Sequence, residues 1–393
     1  MNFNFGMRYI RQHIGIIIKE YDGRLPLAHF LKIYFKKNPK LGSRDRKILS
    51  EMAYCWYRCN KGIETKYLEF DEKVNACLFL CSINPKLIES FLPDAWIPEL
   101  GRNVSERLEL LKEHNIHFNI NRLFPFENNM STGITKDDWE LSMLTQPLLF
   151  IRIRKYKKKA IALLTENNIS FEFINDTCAA IQNGAAVDKI LPEDMYVVQD
   201  ASSQETGKYF NPIKGQKWYD CCSGAGGKSL LLKDIEPGVH LTVSDVRESI
   251  LHNLKERFKT YHHALPIPIL LDVADKAKTA TILGNKQFDS IICDVPCTGS
   301  GTWARTPEQL YFFDPIQITK ISTLQKAIAI NMASYLTKDG KLIYITCSIF
   351  KEENEHVVKE IVSRTGLKLK KMHLINGIQN RADSMFIAVL SNT

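Results

Sequence analysis

Two cysteines in short loops indicate covalent chemistry at the ends of strands. Cys297 lies in DVPCTGSG, residues 294–301, directly after the apolar run SIIC. Cys347 lies in IYITCSIFKEENE, residues 343–355, which also begins as an apolar run. In a parallel sheet the carboxyl ends of the strands lie along one edge, where ligands bind. We therefore expect the two thiols to lie close together, with Asp294 beside them.

Such a pair of thiols suits methyl transfer to carbon 5 of a pyrimidine. That carbon is a poor nucleophile until a thiolate adds to carbon 6 and makes the ring enamine-like. An acid that contacts N3 and the amino group offsets the charge that develops on the ring. Oxyanion donors act in the same way and stabilise a transition state by about 2.7–4 kcal/mol each. We assign Asp294 to this contact, with Pro296 fixing the turn that aims it. One of Cys297 and Cys347 would be the nucleophile and the other would help release the product. The residues alone leave open which, and Cys297 taken alone also reads as a buried turn thiol.

The elements that position these residues alternate between strand and helix from about residue 199 to the C-terminus. The apolar segments KWYDCC, HLTVSD, IPILLD, FDSIICD and KLIYITC predict strands, and amphipathic segments lie between them. This alternation predicts an α/β fold, a doubly wound parallel sheet with right-handed crossovers. Three of the strands end in an acid, at Asp245, Asp272 and Asp294, and the first ends near Asp220.

A glycine-containing loop follows the first of these strands and predicts a nucleotide-like cofactor. Its spacing is not that of a P-loop, and a plain strand-to-helix turn is the alternative reading. Asp245 suits a ribose diol, and Asp272 suits an adenine amino group or the edge of the pocket. These groups do not separate NAD from S-adenosylmethionine, but hydride transfer makes no use of two thiols, which favours S-adenosylmethionine. The loop residues expected to line the cofactor are Cys222, Ser223, Gly224, Ala225, Gly226, Gly227 and Lys228.

Two further regions precede the doubly wound part. Residues 1–115 show helical periodicity, and residues 116–198 read as a small α/β module with the order strand, helix, strand. The basic stretch RIRKYKKK, residues 152–159, predicts a phosphate-contacting patch; its alternative is a solvated helix start. In the helical region two C-x3-C pairs could be read as zinc ligands, but buried thiols on a helical face are favoured, and we expect no metal. These pairs are Cys55 with Cys59 and Cys77 with Cys81.

Composition restricts the setting and the partners. The chain has 393 residues and a formal net charge of +8, which is compatible with a polyanionic partner. It has ten cysteines scattered along its length, and its first apolar run is too short for a signal segment or a membrane span. We therefore expect reduced thiols, a cytoplasmic location, no membrane association and a monomer.

Several stretches together resemble the Sun/Nop (Fmu) family of RNA cytosine-5 methyltransferases. They occur in the family's order and are VQDASSQ, DCCSGAGGKS, DVPCTGSGTWARTPE, LQKAIAINMASYLTKDGKLIYITCSIFKEENE and DSMFIAVL. The resemblance implies a Rossmann-like class I methyltransferase domain over 199–393, with a mostly parallel seven-stranded sheet. It further implies that Cys347 is the nucleophile and that Cys297 aids product release. The loop from Cys222 to Lys228, with Asp245, Asp272 and Asp294, would line the S-adenosylmethionine site.

The remaining expectations also follow from this resemblance. Residues 1–115 are similar to the NusB-like domain of the bacterial ribosomal RNA members, and 116–198 to the family's small RNA-binding module. The implied substrate is small-subunit ribosomal RNA; the alternatives are transfer RNA and a non-catalytic, RNA-binding ribosome-assembly factor. Ala225 stands where the family usually has proline, which predicts a weaker affinity for the cofactor because alanine does not fix φ. Arg247 is expected to replace a basic residue that usually follows the second-strand acid.

Overall fold

The computed structural model describes residues 3–64, 68–125 and 130–393. Its α-helices are α1 (Phe3–Glu20), α2 (Leu27–Lys37), α3 (Ser43–Cys59), α4 (Phe70–Cys81), α5 (Pro85–Ile88), α6 (Val104–Glu113), α7 (Lys136–Met143), α8 (Lys157–Glu166), α9 (Ala201–Glu205), α10 (Gly227–Ile235), α11 (Glu248–Thr260), α12 (Lys276–Leu283), α13 (Pro307–Tyr311), α14 (Ile316–Ala333) and α15 (Glu355–Thr365). Its strands are β1 (Leu149–Ile153), β2 (Phe171–Phe173), β3 (Cys178–Ile181), β4 (Tyr196–Val198), β5 (Lys217–Asp220), β6 (His240–Asp245), β7 (Ile267–Leu270), β8 (Phe288–Asp294), β9 (Leu336–Thr346), β10 (Lys368–Ile375) and β11 (Met385–Ser391).

The chain divides into two compact units. One comprises the described parts of 1–128 together with 135–146 and 303–314; the other comprises those of 129–134 together with 147–302 and 315–393. The first unit is helical, as the periodicity of residues 1–115 predicts. The division of the sequence into three domains at residues 115 and 198 stays a prediction.

The helical unit is built on an apolar core that includes all four cysteines of the two C-x3-C pairs. Cys55 and Cys59 lie on α3, and Cys77 and Cys81 on α4. All four are buried, and burial raises the pKa of each thiol. Across the described residues no group of three or more histidine, cysteine or acidic side chains is arranged to hold a metal ion. Nor is any helix of the described chain long and apolar enough to span a membrane.

The second unit contains a small antiparallel sheet with the strand order β2-β3-β1-β4. Helix α8 connects β1 to β2 and buries Ala160 and Leu164 in the core of this sheet. The expected order of strand, helix and strand is therefore confirmed for residues 149–173.

The larger sheet of the same unit has seven strands in the order β10-β11-β9-β8-β5-β6-β7. Strands β5 to β9 pair in parallel, and β11 runs antiparallel to β9 and β10. The expected Rossmann-like, mostly parallel seven-stranded sheet is confirmed. Alternate residues of the central strands enter two different cores: Ile291 and Tyr344 enter one, and Ile292 and Ile343 the other. Strands buried on both faces read as continuous apolar runs, which is why SIIC and LIYIT lack alternation.

Candidate active site

The two cysteines singled out from the sequence are in contact. Strands β8 and β9 are adjacent and parallel, with Asp294 opposite Ile345, so the loops that follow them leave the same edge of the sheet. Within these loops the Sγ atoms of Cys297 and Cys347 lie 3.0 Å apart. Both residues are half-buried. The sulfurs are close enough to share a proton.

The surroundings of Cys297 disfavour the ionised form of its thiol. The pKa of Cys297 lies well above its ordinary value, first because its thiol hydrogen-bonds to Cys347, and then because the site is buried and the charge of Glu353 is nearby. The backbone N–H of Cys347 donates to the Cys297 sulfur at 3.3 Å and opposes this rise only weakly. The contact with Cys347 and burial therefore both favour the protonated form of Cys297.

Asp294 ends β8 beside the glycine loop and is held by a lysine from that loop. The Nζ atom of Lys228 lies 3.4 Å from Oδ2 of Asp294 and donates to the hydroxyl of Ser203 at 2.8 Å. The Lys228 side chain is nearly fully buried, while Asp294 is about one-third exposed. A buried ammonium fixed in this way therefore holds one oxygen of the Asp294 carboxylate. Ser203 was not among the predicted site residues, although it lies within the quoted stretch VQDASSQ.

The glycine loop is shaped by its backbone and leaves space around it. Gly226 caps α10 with φ +81°, and a Cβ there would come within 3.0 Å of Leu254. A Cβ on Gly224 or Gly227 would meet nothing within 4 Å. The loop is tied down by Ser223, whose N–H and hydroxyl both donate to the carbonyl of Ser244. The result is a turn at the strand ends with open space beside two of its glycines, suited to close approach by a ligand.

The second-strand acid has all its acceptor positions filled. Oδ1 of Asp245 accepts from the backbone N–H and Nε of Arg247, both at 2.9 Å. Oδ2 accepts from Nη2 of Arg247 and from the N–H of Gly224, both at 3.1 Å. Burial alone would raise the pKa of Asp245, but these donors hold it below its ordinary value. Arg247 therefore lies at the expected position, but it binds the carboxylate of Asp245, which is predicted to bind a ribose.

Asp272 lies apart from this cluster of buried groups. Strand β7 ends at Leu270, so Asp272 is past the strand end rather than on it. It is exposed, and its Oδ1 accepts from the N–H of Ala274 at 3.0 Å in a local turn. Its predicted role at the edge of the pocket stays a prediction.

Asp220 is a buried acid at this edge that the predicted site did not include. It ends β5 with no exposure and accepts from the hydroxyl of Ser229 at 2.6 Å. Burial raises the pKa of Asp220 to about 7, the bond from Ser229 opposes the rise, and the charge of Asp294 adds to it. The position of Asp220 at the first strand end was the signal that could have identified it.

The basic stretch 152–159 is split between the interior and the surface. Arg152 and Arg154 do not face solvent: both guanidinium groups bind the carboxylate of Asp234, at 2.5 and 2.7 Å. The phosphate-contacting interpretation is therefore wrong for these two arginines, because β1 turns them towards α10. The exposed residues of the stretch are Tyr156, Lys157, Lys158 and Lys159, at the start of α8.

Part of the chain matches a known protein family. Residues 208–390 match the family model described as 16S rRNA methyltransferase RsmB/F. The ribosomal RNA small subunit methyltransferase B of Photorhabdus laumondii is 32% identical over 168 residues, 42% of this chain and 38% of that protein. The protein of the same name from Yersinia pseudotuberculosis is 30% identical over 167 residues, with the same two coverages. The matched part thus spans about two fifths of the length of these relatives.

Solved structures share the fold at lower identity. The crystal structure of PH0851 has a TM-score of 0.69 and 20% identity, covering 97% of this chain and 98% of its own. The NSun6 of Pyrococcus horikoshii, solved with SFG, has a TM-score of 0.55 and 16% identity, covering 63% of this chain and 91% of its own. At these identities the likeness establishes the fold.

Proposed function

We propose that this protein is an S-adenosylmethionine-dependent RNA (cytosine-5)-methyltransferase acting on small-subunit ribosomal RNA, and the match of residues 208–390 to the RsmB/F family model supports this proposal. The observation that carries the proposal is the 3.0 Å contact between the thiols of Cys297 and Cys347 at adjacent strand ends. The names of the relatives support ribosomal RNA as the substrate.

The loop and the acids around it fit the cofactor. The open turn at Gly224 and Gly227 leaves room for a ligand to approach the backbone. Asp245 lies at the neighbouring strand end, where a ribose diol would bind in place of the Arg247 side chain. When bound, S-adenosylmethionine supplies the methyl group. Cys222, Ser223, Ala225, Gly226 and Lys228 complete the loop that would hold it, and Asp272 would lie at the adenine edge.

The positions of the sulfurs and of Asp294 support the following chemical roles, with the two thiols assigned as the family resemblance implies. The Cys347 thiolate adds to carbon 6 of cytosine and forms a carbon–sulfur bond, which makes carbon 5 nucleophilic. Asp294, with one oxygen held by Lys228, contacts N3 and the amino group, where charge develops. Once carbon 5 carries the methyl group, a water molecule takes its proton. The released electron pair re-forms the ring double bond and expels the sulfur of Cys347 as a thiolate. Cys297, whose Sγ lies 3.0 Å from the departing sulfur, aids this release by donating a proton to it.

RNA access completes the proposal. A cytosine within structured RNA must be unpaired or flipped out of its stack to reach these loops. The exposed side chains at the start of α8, Tyr156 and Lys157–Lys159, supply one aromatic face and three cations for a single strand. The same chemistry on transfer RNA, or RNA binding without catalysis during ribosome assembly, would be the alternative outcomes of a direct test.

The test is methyl transfer to fractionated RNA. The purified protein is incubated with methyl-labelled S-adenosylmethionine and unmodified total RNA from its own source, and ribosomal and transfer RNA are then separated. We expect label in small-subunit ribosomal RNA, recovered as 5-methylcytosine. Label in transfer RNA would replace the substrate, and no label in either fraction, with the cofactor shown to bind, would favour a binding factor.

Two cysteine variants test the mechanism. Cys347→Ala should abolish both methylation and the covalent adduct, because no sulfur remains to add to carbon 6. Cys297→Ala should still form the adduct but release it slowly, giving a protein–RNA band that survives denaturing electrophoresis. Normal release of RNA by Cys297→Ala would contradict the assignment of the two thiols.

A further inference from the structure

Glu353 is a buried acid that the proposed reaction does not use. It belongs to the acidic run EENE that follows Cys347, yet its exposure is 0%. A carboxylate buried in this way must have partners, because an unpaired charge in the interior is strongly destabilising. Its partners come from three separate segments, and two of these segments carry the active-site cysteines.

The first segment is the loop of Cys297. The backbone N–H of Thr298 donates to Oε2 of Glu353 at 2.9 Å, and the Thr298 hydroxyl donates to Oε1 at 2.5 Å. Thr298 directly follows Cys297 in the chain. The carboxylate of Glu353 therefore accepts hydrogen bonds from both the backbone and the side chain of Thr298, the residue next to Cys297.

The other two segments are the loop of Cys347 and helix α14. The hydroxyl of Ser348, the residue directly after Cys347, donates to Oε1 of Glu353 at 2.6 Å. From α14, Nε2 of the fully buried Gln325 donates to Oε2 at 2.9 Å and to the carbonyl of Pro296 at 2.8 Å. Each oxygen of Glu353 thus joins the Cys297 loop to a different neighbour.

We propose that Glu353 is a positioning residue that fixes the two cysteine loops relative to each other, so that the sulfurs of Cys297 and Cys347 stay in reacting distance. As far as catalysis is concerned, this inference rests on the proposed methyl transfer. The geometric part stands by itself, because the same carboxylate touches the residue after each cysteine. A displacement of about 1 Å between reacting groups can lower a rate by about 100-fold, so loosening this link would act on turnover.

The hydrogen-bond pattern makes a specific claim about replacements of Glu353. In Glu353→Gln the amide oxygen can take the place of Oε2, facing the N–H of Thr298 and the amide of Gln325. The NH2 group then faces the hydroxyls of Thr298 and Ser348, which can rotate to accept. Ser300 supports this rotation, since its Oγ lies 3.2 Å from the Thr298 hydroxyl and 3.1 Å from that of Ser348. Glu353→Ala removes the acceptor that all these donors share.

A matched control is available two residues along the chain. Glu355 accepts from the hydroxyl of Ser131 and the N–H of Thr132, both at 2.9 Å. Its carboxylate contacts neither cysteine loop, so Glu355→Ala removes a neighbouring acid and its hydrogen bonds without touching the proposed link. A second variant, Thr298→Val, removes one hydroxyl donor while keeping the volume, and it serves if Glu353→Ala does not fold.

The first readout does not depend on methyl transfer. Diamide, a thiol oxidant, takes two electrons and two protons from Cys297 and Cys347 and joins them in a disulfide, which peptide mapping quantifies. Glu353→Ala should slow this step by about tenfold through lost proximity, with Glu353→Gln and Glu355→Ala within about threefold of wild type. Loss of the Glu353 charge alone would lower the pKa of Cys297 and speed the reaction, so slowing isolates the geometric effect.

The second readout is steady-state methylation. Glu353→Ala should lower kcat by about 100-fold and Thr298→Val by about tenfold, with KM for S-adenosylmethionine unchanged, and Glu353→Gln should restore most of the turnover. The inference would be overturned if Glu353→Ala formed the disulfide at the wild-type rate, or if Glu355→Ala slowed disulfide formation as much as Glu353→Ala. A wild-type protein that transfers no methyl group while the disulfide rates differ as described would defeat the proposed function and leave the positioning role standing.

Discussion

Replacing Asp234 by asparagine should destabilise the second unit more than any surface charge change. The carboxylate at the end of α10 accepts from Arg152 at 2.5 Å, from two nitrogens of Arg154 at 2.7 and 3.0 Å, and lies 2.7 Å from Nε2 of His263. Through these contacts it joins β1 of the small sheet to helix α10 beside the larger sheet. Asparagine keeps the shape of the side chain but removes the charge that both arginines face.

The expected magnitude follows from burial. The side chains of Arg152 and Arg154 are only 7% and 4% exposed, so neither guanidinium can recover its hydration when the charge is removed. Removing one partner of a buried ion pair costs about 3–5 kcal/mol. A matched surface pair, Arg364 with Glu360 on α15, has side chains 68% and 37% exposed. There Glu360→Gln should cost only about 0.3–0.5 kcal/mol.

The pH dependence has a definite sign. Burial alone would raise the pKa of Asp234, but the bonds from His263 and Arg154 and the charge of Arg152 together hold it well below its ordinary value. A depressed carboxyl pKa contributes stability that is present above the unfolded value, about 3.9, and is lost as the pH falls through the folded value. The difference in the free energy of unfolding between wild type and Asp234→Asn should therefore shrink as the pH falls below about 4.

The assay is urea unfolding, with limited proteolysis as the readout at each urea concentration. Cleavage within the second unit reports the unfolding of that unit separately, which is needed in a chain with more than one compact unit. Measurements at low and high salt add a check, because a buried pair is screened far less than a surface pair. A loss of less than about 1 kcal/mol for Asp234→Asn, close to the value for Glu360→Gln, would refute the reasoning, since it would mean that the cluster is no stronger than a surface pair.

Three further predictions follow from the geometry of the site and its surroundings. Arg247→Ala should tighten S-adenosylmethionine binding about tenfold in calorimetry, because it frees two charge-assisted acceptor positions on Asp245; weaker binding would mean that the arginine itself contacts the cofactor. Gly226→Ala should lower the free energy of unfolding by about 1–3 kcal/mol, because φ is +81° and Leu254 blocks a Cβ, whereas Gly227→Ala, which meets nothing within 4 Å, should be nearly neutral in the same denaturation experiment. Replacing all three lysines of 157–159 by glutamine should weaken the salt dependence of RNA binding in filter assays. The slope of log K against log salt concentration should fall in magnitude by about 0.7 per lost phosphate contact, and an unchanged slope would mean that the RNA binds elsewhere.

The sheet and the pairing of the thiols could be predicted because both depend on local pattern and general topology. The apolar runs before Asp294 and Cys347 indicate strands that are buried on both faces, and parallel crossovers place their ends at one edge. The contact between Cys297 and Cys347 follows once the two strands are neighbours. The roles of the two sulfurs do not follow, because they depend on which atoms surround each thiol.

The basic stretch shows what a linear pattern cannot predict. Arg152 and Arg154 are two residues apart, so on a strand they point to the same side. Whether that side is solvent or protein depends on Asp234, which lies 80 positions beyond Arg154 in the chain. A pairing of this kind leaves no periodic signal in the sequence. The lysines of 157–159 differ because they follow the strand and open a helix, where the sequence alone predicts exposure.

Glu353 gives the same lesson for the acidic run EENE. A run of acids usually lies on a solvated surface. The acids on either side, Glu352 and Glu355, are partly exposed, but Glu353 has no exposure at all. An acid is kept in the interior only where several donors converge on it, and these donors come from the residues after Cys297 and Cys347 and from α14. The burial of one acid among several is therefore the structural sign of a function that charge counting misses. It also explains why the two thiols, on separate loops, can lie within 3.0 Å of each other without a covalent link.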